Sequence, residues 1–335
     1  YRTKKGFLDN FTALHIMVIT LRCDHSCHYC QVSRQTENKS KYDMSKKDIN
    51  DSLRLIFSSP SKFVTIEFQG GEPLLAFDKV KYAVDTALEM NKTEGKEISF
   101  VICTNLAPVN EDILYYCKEK EILISTSYDG PAYIHDINRP FSKGSSHETV
   151  LKGIDLCRKI IGDDNVSVLM TTTNLTLDYP IEIINDYLKQ GFRNIFLRPI
   201  SPYGFATKAP KKNKYQVKKF LEFYKTAFDH IIQINLNGKK MTEDYASIIL
   251  TKILTPFPTG YVDLQSPAGL ISGVVVYNYD GKVFASDEAR MLAEMNDYTF
   301  QIGHVTDDYL DLFAGKKVME ISNYSTNESL PGCSE

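Results

Sequence analysis

The 335-residue sequence lacks any apolar run of the roughly 18 residues that a membrane-spanning helix needs. Its first residues, YRTKKGFLDNF, also lack the apolar core of a secretory signal peptide. The sequence also has no large excess of either charge, because 39 basic and 42 acidic residues give a formal net charge of -3. Such a balance provides no general attraction to nucleic acid or to an anionic membrane. We therefore predict that the protein has no membrane partner and no nucleic-acid partner.

Cysteine is scarce, with seven residues in the whole chain. An odd number without paired spacing does not indicate a disulfide framework, so we expect a reducing compartment and a cytoplasmic protein. We interpret the scattered residues Cys103, Cys117 and Cys157 as small buried hydrophobic side chains. The chain begins with Tyr rather than Met and ends in GCSE, from which we expect an interior piece of a longer protein.

Apolar, β-rich runs alternate with amphipathic stretches through the first part of the chain. Helix-start signals stand between the runs at Ser45, Asp78, Asn110, Ser145 or Ser146, and Asp178 with Pro180. The alternation predicts a parallel sheet with right-handed crossovers, either doubly wound or wrapped like a barrel. The six runs are residues 13–20, 63–68, 98–103, 122–127, 166–173 and 194–200.

The alternation stops after about residue 235. A helical segment, TEDYASIILTKIL, is followed by VVVYNYDGKVFA, in which Asp280 and Gly281 form a two-residue hairpin-turn signal. We predict a domain boundary near residue 240, with one domain over residues 1–240 and a second over residues 241–335.

Three of the cysteines lie together in the segment LRCDHSCHYCQ, directly after the first apolar run. Cys23, Cys27 and Cys30 form a C-x3-C-x2-C pattern on a loop that is too short to wrap four ligands around a metal. Three thiolates suit a [4Fe–4S] cluster with one open iron, or a zinc site completed by His25 or His28. In a barrel this loop would join the other polar loops at the carboxyl ends of the strands.

A second motif decides which family this loop resembles. With an aromatic residue, Tyr29, before the third cysteine and QGGEPL at residues 69–74, the sequence resembles the radical S-adenosylmethionine (SAM) superfamily over residues 12 to about 200. The resemblance implies a partial (β/α)6 TIM-like barrel and a [4Fe–4S] cluster on the three cysteines, with SAM chelating the open iron. It further implies reductive cleavage of SAM to a 5′-deoxyadenosyl radical, with the electron supplied by a flavodoxin- or ferredoxin-like donor.

The same resemblance assigns side chains to SAM. Gly70 and Gly71 would let backbone carbonyls approach the methionine ammonium, beside the carboxylate of Glu72. Arg139 would pair with the methionine carboxylate, for which a bidentate guanidinium is suited. The full predicted set is Tyr29 near the adenine, Gln69, Gly70, Gly71, Glu72, Pro73, Thr104, Asn105, Ser127, Asp129, Arg139, and Leu197 as a further adenine contact.

Two longer segments narrow the branch. SYDGPAYIHDINRPFSKGSSHETVLKGI and VVVYNYDGKVFASDEARML resemble peptide maturases with a C-terminal SPASM or twitch region, a branch that includes anaerobic sulfatase maturases. The nearest subgroups are His-Xaa-Ser system maturases and three-residue cyclophane-forming enzymes. This implies an enzyme that cross-links side chains in a ribosomal precursor peptide. The alternatives are side-chain oxidation without a cross-link, and a zinc-containing peptide-binding protein.

The sequence departs from the SPASM pattern at two cysteine positions. Ser266 (or Gln265) and Ser286 stand there, and hydroxyl groups are poor iron ligands, so a first auxiliary cluster is not expected. Cys333 is predicted to be a ligand of a further auxiliary [4Fe–4S] cluster. Asp287 matches an aspartate that acts as a base in the sulfatase-maturing relatives, and it is the predicted catalytic residue.

Overall fold

The protein is described by a computed structural model over residues 11–32, 34–35, 38–257, 259, 261 and 269–324. The chain folds into two compact units. The first contains the segments up to Cys23, from Arg34 to Cys103 and from Leu254 onward, and the second contains Asp24–Ser33 and Thr104–Ile253. Among the helices of the described residues, none has the length and apolar character to cross a membrane.

The strands and helices of the described residues follow the predicted alternation. The strands are β1 (Leu14–Thr20), β2 (Phe63–Gly70), β3 (Glu97–Thr104), β4 (Ile122–Ser127), β5 (Val166–Leu169), β6 (Asn194–Ile195), β7 (Thr242–Glu243), β8 (Val274–Tyr277), β9 (Lys282–Phe284) and β10 (Gln301–His304). The helices are α1 (Lys39–Tyr42), α2 (Lys46–Ser58), α3 (Phe77–Glu94), α4 (Glu111–Glu119), α5 (Ala132–Asn138), α6 (Ser146–Ile161), α7 (Pro180–Lys189), α8 (Phe205–Lys208), α9 (Pro210–Asn213), α10 (Val217–Leu236), α11 (Asp244–Leu254), α12 (Asp287–Ala293), α13 (Tyr309–Ala314) and α14 (Lys316–Tyr324).

The first unit is a sheet with the strand order β10-β9-β8-β1-β2-β3. Strands β8, β1, β2 and β3 run parallel, and β9 and β10 continue the sheet in antiparallel fashion. The central strand β1 is buried on both faces, because Met17 and the next residue, Val18, point to opposite faces and both are buried. The predicted turn at Gly281 joins β8 to β9, with φ at +80°.

The second unit contains two parallel strand pairs, β4 with β5 and β6 with β7. Helix α4 packs against α6, and α7 packs against α10. Helix α6 buries Val150, Ile154 and Cys157, which lie on one face because they are spaced four and three residues apart. Together these contacts give the predicted α/β architecture.

Most helix-start predictions are confirmed. The side chains of Ser45, Asn110 and Ser145 each accept a hydrogen bond from the backbone N–H three residues on. The prediction at Asp78 is wrong by two positions, because α3 begins at Phe77 after Ala76, and Asp78 lies in its first turn. Helix α7 begins at Pro180 as predicted. Its N-cap residue is Tyr179 and not Asp178, because Asp178 is the last residue of a short 3₁₀ turn.

Two other predictions need correction. The sixth apolar run, residues 194–200, contains only the two-residue strand β6. The backbone N–H of Leu197 donates to the Glu243 carboxylate at 2.9 Å, and Pro199 has no N–H, so the strand cannot continue its ladder. Cys117 and Cys157 are buried as expected, whereas Cys103 is only half-buried on β3.

Candidate active site

The cysteine loop leaves β1 at a tightly fixed residue, Arg22. Its guanidinium donates two hydrogen bonds to Asp43, at 2.7 and 2.9 Å, and one to the Leu75 carbonyl at 2.7 Å. Its own carbonyl accepts from the Glu72 N–H at 2.7 Å. The backbone immediately before Cys23 is therefore held on several sides within the first unit.

Gly70 and Gly71 make that contact possible. A Cβ at Gly70 would lie 2.0 Å from the Thr20 carbonyl oxygen, and one at Gly71 would lie 2.1 Å from the Arg22 carbonyl oxygen. The Gly71 N–H donates to the Thr20 carbonyl at 2.8 Å. The two glycines thus bring the ends of β1 and β2 together, a role that the sequence alone did not predict. Their predicted approach to SAM stays a prediction.

The carboxylate of Glu72 is fully buried and caps the short 3₁₀ helix Pro73–Ala76. Its Oε1 accepts from the Leu74 N–H at 2.9 Å. Gln69, at the end of β2, donates from Nε2 to Glu67 Oε1 at 2.5 Å. These two predicted cofactor residues therefore make local contacts within the first unit.

Within the second unit, the cysteine loop is bound to the segment after β4 through Tyr29. The Tyr29 hydroxyl donates to Asp129 Oδ2 at 2.8 Å and accepts from Arg139 Nη1 at 2.5 Å. The guanidinium also lies 5.8 Å from the centroid of the Tyr29 ring. Burial raises the pKa of Tyr29 well above its usual range, so the hydroxyl stays a donor. Three predicted cofactor residues are thereby brought together.

Asp129 is fully buried and surrounded by donors. Its carboxylate also accepts from the Thr171 N–H at 3.0 Å and from Asn138 Nδ2 at 3.3 Å. Burial raises the pKa of Asp129, while Arg139 and these hydrogen bonds oppose the rise. Since every partner donates, the ionised form fits this position at neutral pH.

Cys27 is buried, and Cys23 and Cys30 are half-buried. Burial raises the pKa of the Cys27 thiol to about 11, although Arg139 opposes that rise. A buried thiol of this kind loses its proton when it binds a metal ion, because the thiolate is the form that binds.

The first part of the loop is held by Asp24 and His25. His25 Nδ1 lies 2.8 Å from Asp24 Oδ1, which also accepts from Asn105 Nδ2 at 2.8 Å. Burial favours the neutral acid, but the hydrogen bonds from His25 and Asn105 hold the pKa of Asp24 below its usual value. Asn105, predicted to contact SAM, therefore positions this loop.

The histidines of the loop are not placed to complete a zinc site. His25 Nε2 lies 2.9 Å from Ser146 Oγ, and His28 contacts the side-chain oxygens of Asn213 and Asn138 at 2.7 and 3.2 Å. Both ring nitrogens of each histidine thus have other partners. In the part of the chain that the structure describes, no three His, Cys, Asp or Glu side chains converge on a single ion position. The remaining donors are three thiols, which suit a cluster because each can bind a different iron.

Other predicted cofactor residues end strands. Thr104 Oγ1 accepts from the Leu106 N–H at 3.0 Å, and Asn105 Oδ1 accepts from the Ala107 N–H at 2.8 Å, so both shape the turn after β3. Ser127 is half-buried at the end of β4. The side chain of Leu197 is fully buried, and its adenine contact stays a prediction.

Asp287, the predicted catalytic residue, begins α12 in the first unit. Ser286 caps this helix by accepting from the Ala289 N–H at 3.2 Å. Asp287 Oδ1 lies 4.0 Å from Arg290 Nε, and Arg290 Nη1 lies 3.4 Å from Glu294 Oε1. Sequence reasoning missed the buried Arg290, although its acidic neighbours three residues before and four after were a usable signal. Cys333, Ser266 and Gln265 lie outside the described residues.

Comparison with known proteins then decides the family. Residues 17–187, about half of the chain, match the family described as the Radical SAM superfamily. The chain belongs to the radical SAM superfamily. Membership implies a [4Fe–4S] cluster and SAM as cofactors, and the donor set of the cysteine loop fits that cluster.

Two relatives show how far the sequence likeness of this radical SAM enzyme extends. An uncharacterised protein of Methanocaldococcus jannaschii is 30% identical over 56% of this chain and 62% of its own length. The cysteine-type anaerobic sulfatase-maturating enzyme of Clostridium perfringens is 22% identical over 79% of this chain and 71% of its own length. The chain thus spans about three fifths of the length of the Methanocaldococcus jannaschii protein.

Two solved structures share the fold of the radical SAM enzyme. Native anSMEcpe with bound AdoMet and the Kp18Cys peptide has a TM-score of 0.73 at 21% identity, covering 94% of this chain and 83% of that chain. Streptococcus suis SuiB bound to the precursor peptide SuiA has a TM-score of 0.65 at 15% identity, covering 96% and 69%. The fold is that of a radical SAM partial barrel with a C-terminal extension, as predicted.

Proposed function

We propose that this radical SAM enzyme modifies a ribosomally synthesised precursor peptide by forming a cross-link between side chains, of the cyclophane type. The observation that carries the proposal is the likeness in fold, over nearly the whole chain, to two maturases whose structures contain peptides. The sulfatase-maturating relative also supports a protein or peptide substrate. We assign residues 1–240 to the radical SAM core and residues 241–335 to a SPASM/twitch-like region.

In this proposal Cys23, Cys27 and Cys30 hold the cluster. When bound, the reduced cluster and SAM together supply the radical that takes a hydrogen atom from the substrate. Arg139 provides the cation for the methionine carboxylate, and the Tyr29 hydroxyl orients the guanidinium by accepting from Nη1 at 2.5 Å. Asp129 in turn fixes the Tyr29 hydroxyl. A buried, ordered donor of this kind needs little reorganisation when an anion binds.

A cross-link needs a further proton acceptor and a further electron acceptor. Once a hydrogen atom has left the peptide, closing the new carbon–carbon bond releases one proton and one electron. We assign the proton to the Asp287 carboxylate. The electron would pass to an auxiliary [4Fe–4S] cluster with Cys333 among its ligands, and a flavodoxin- or ferredoxin-like protein would reduce the SAM-binding cluster.

Side-chain oxidation without a cross-link is the second candidate. It is favoured by the likeness to a sulfatase-maturating enzyme over 79% of this chain. Both reactions remove two hydrogens from the peptide, so the mass of the product does not separate them. Fragmentation does, because a cross-link suppresses cleavage between the two residues that it joins.

The test begins with iron and sulfide analysis of anaerobically purified protein, followed by measurement of 5′-deoxyadenosine. We expect Cys23→Ala, Cys27→Ala and Cys30→Ala each to abolish SAM cleavage, since each removes one of three protein ligands. Cys117→Ala, at a buried cysteine of α4, is the matched control and should retain cleavage. Full cleavage in any of the three loop variants would refute the cluster assignment. Incubation with the peptide products of short reading frames beside the gene, followed by fragmentation, then tests for a modified residue.

A further inference from the structure

We propose that Ser146 is a positioning residue, the centre of a buried hydrogen-bond chain that ties the cysteine loop to the backbone of Asp129. The chain runs from Asp129 through His135, Ser146 and His25 to Asp24. The proposal rests on the proposed function, because it takes the loop of residues 23–30 as the cluster-binding loop. All members of the chain lie within the second unit.

The direction of each hydrogen bond follows from the fixed donors at its ends. The Asp129 N–H can only donate, so His135 Nδ1, at 3.1 Å, accepts and the proton of the neutral ring is on Nε2. His135 Nε2–H then donates to Ser146 Oγ at 3.1 Å.

The other end is fixed in the same way. The Asp24 carboxylate accepts, so His25 donates from Nδ1 at 2.8 Å, and in the neutral ring Nε2 is then an acceptor. The Ser146 hydroxyl, at 2.9 Å, fills that place by donating. Ser146 is therefore the one group in the chain that accepts from one histidine and donates to the other.

Burial increases the free-energy cost of losing these hydrogen bonds. The exposed fractions of His25, His135 and Ser146 are 1%, 0% and 3%, so water does not compete for their polar atoms. Removing the Ser146 hydroxyl would leave a donor on His135 and an acceptor on His25 without a partner. Buried polar atoms that lose a partner are far costlier than exposed ones.

The position of this hydrogen-bond chain shows how it holds the cysteine loop against Asp129. Tyr29 already ties the second half of the loop to the Asp129 carboxylate, and the Ser146 chain ties the first half to the Asp129 backbone. The loop is also held by stacking of His25 on Phe141, with ring centroids 4.6 Å apart. The two attachments lie on either side of Cys27, so the loop and Asp129 would keep their spacing when SAM binds.

Because of its place in α6, Ser146 can be substituted without weakening the helix itself. Ser145 is the cap of α6, accepting from the Glu148 N–H at 3.1 Å, and Ser146 is the first helical residue. Alanine at that position leaves the cap intact and suits a helix at least as well as serine. A matched control is Ser52 of α2 in the first unit, a buried serine whose hydroxyl donates to the Asp48 carbonyl at 2.7 Å.

The test compares Ser146→Ala, Ser146→Thr, His25→Phe and the control Ser52→Ala after anaerobic cluster reconstitution. The measurements are iron content, the electron paramagnetic resonance spectrum of the reduced cluster with and without SAM, and the dissociation constant for SAM. We expect Ser146→Ala to raise that constant roughly 5- to 100-fold and to change the spectrum in the presence of SAM. His25→Phe, which keeps the stacking and loses both hydrogen bonds, should do the same.

Ser146→Thr keeps the hydroxyl and should restore the wild-type values, and Ser52→Ala should bind SAM as wild type does. If Ser146→Ala takes up no iron while Ser52→Ala does, the positioning role is also supported, because all three thiols are intact in both variants. Wild-type SAM affinity and spectra in both Ser146→Ala and His25→Phe would overturn the proposal. Wild-type protein without iron would instead refute the proposed function, so the two failures can be told apart.

Discussion

Acidification should weaken the first unit through one buried histidine, His15 on β1. His15 Nδ1 lies 3.2 Å from the Tyr277 hydroxyl on β8, and its Nε2 lies 3.2 Å from the Thr12 carbonyl. The carbonyl can only accept, so the neutral ring donates from Nε2 and accepts from Tyr277 at Nδ1. A second proton would force the Tyr277 hydroxyl to accept instead of donate, and it would bury a charge.

The size of this loss of stability follows from the pKa of His15. Burial lowers the pKa of His15 from 6.5 to about 4, with the hydrogen bond to Thr12 opposing and Lys96 adding to the effect. Between these two values the unfolded chain binds a proton that the folded chain does not, so stability falls as the pH falls. At about 1.4 kcal/mol per pH unit, the loss amounts to about 3 kcal/mol, and it is complete near pH 4.

Urea unfolding of wild type and of His15→Gln at pH 7, 6, 5 and about 4 measures this loss. Glutamine does not titrate, so the difference in unfolding free energy between the two proteins isolates His15 from every other ionisable group. We expect the advantage of wild type to shrink by about 3 kcal/mol across the series. If the difference in unfolding free energy stays constant with pH, protonation of His15 does not destabilise the protein and the reasoning is wrong.

Three further changes have definite expected outcomes. Tyr29→Phe removes the bonds to Asp129 and Arg139, and calorimetric titration should show SAM binding weakened roughly 10-fold, against an unchanged Tyr115→Phe control on the exposed face of α4. Asp287→Asn should spare 5′-deoxyadenosine and slow the peptide product by about 10²–10⁴-fold in a product assay; a wild-type product rate would exclude Asp287 as the base. Gly71→Ala should destabilise the protein by more than about 3 kcal/mol in urea, because its Cβ would overlap the Arg22 carbonyl; near-wild-type stability would contradict the close contact.

The sequence predicted those parts of the fold that depend on neighbouring residues. Strands β1 to β5 follow local apolar runs, and the caps Ser45, Asn110 and Ser145 depend on a hydrogen bond to a residue three positions away. The sequence did not predict that β8 would lie parallel to β1 with Leu14 opposite Val274, since that pairing joins distant segments.

The candidate site divides in the same way. The cysteine spacing and the QGGEP motif could be read directly, and they led to the family. The contacts that hold the site could not, because His25 and Ser146 are 121 residues apart. Glu72 was predicted near SAM from its type and position, yet its fully buried carboxylate caps Pro73–Ala76, a use that depends on the local backbone.

The fixed backbone at Arg22 has a consequence for the assembly of the metal centre. Ordering a residue costs about 1–2 kcal/mol of conformational entropy, and for the residue before Cys23 that loss occurs when the chain folds. Arg22 is held by Asp43, Leu75 and Glu72, which are all protein groups, so the backbone that leads into the first ligand is ordered without iron. Iron that enters the folded protein therefore meets a first ligand whose preceding backbone is already ordered, and less of its binding free energy is offset by ordering the polypeptide.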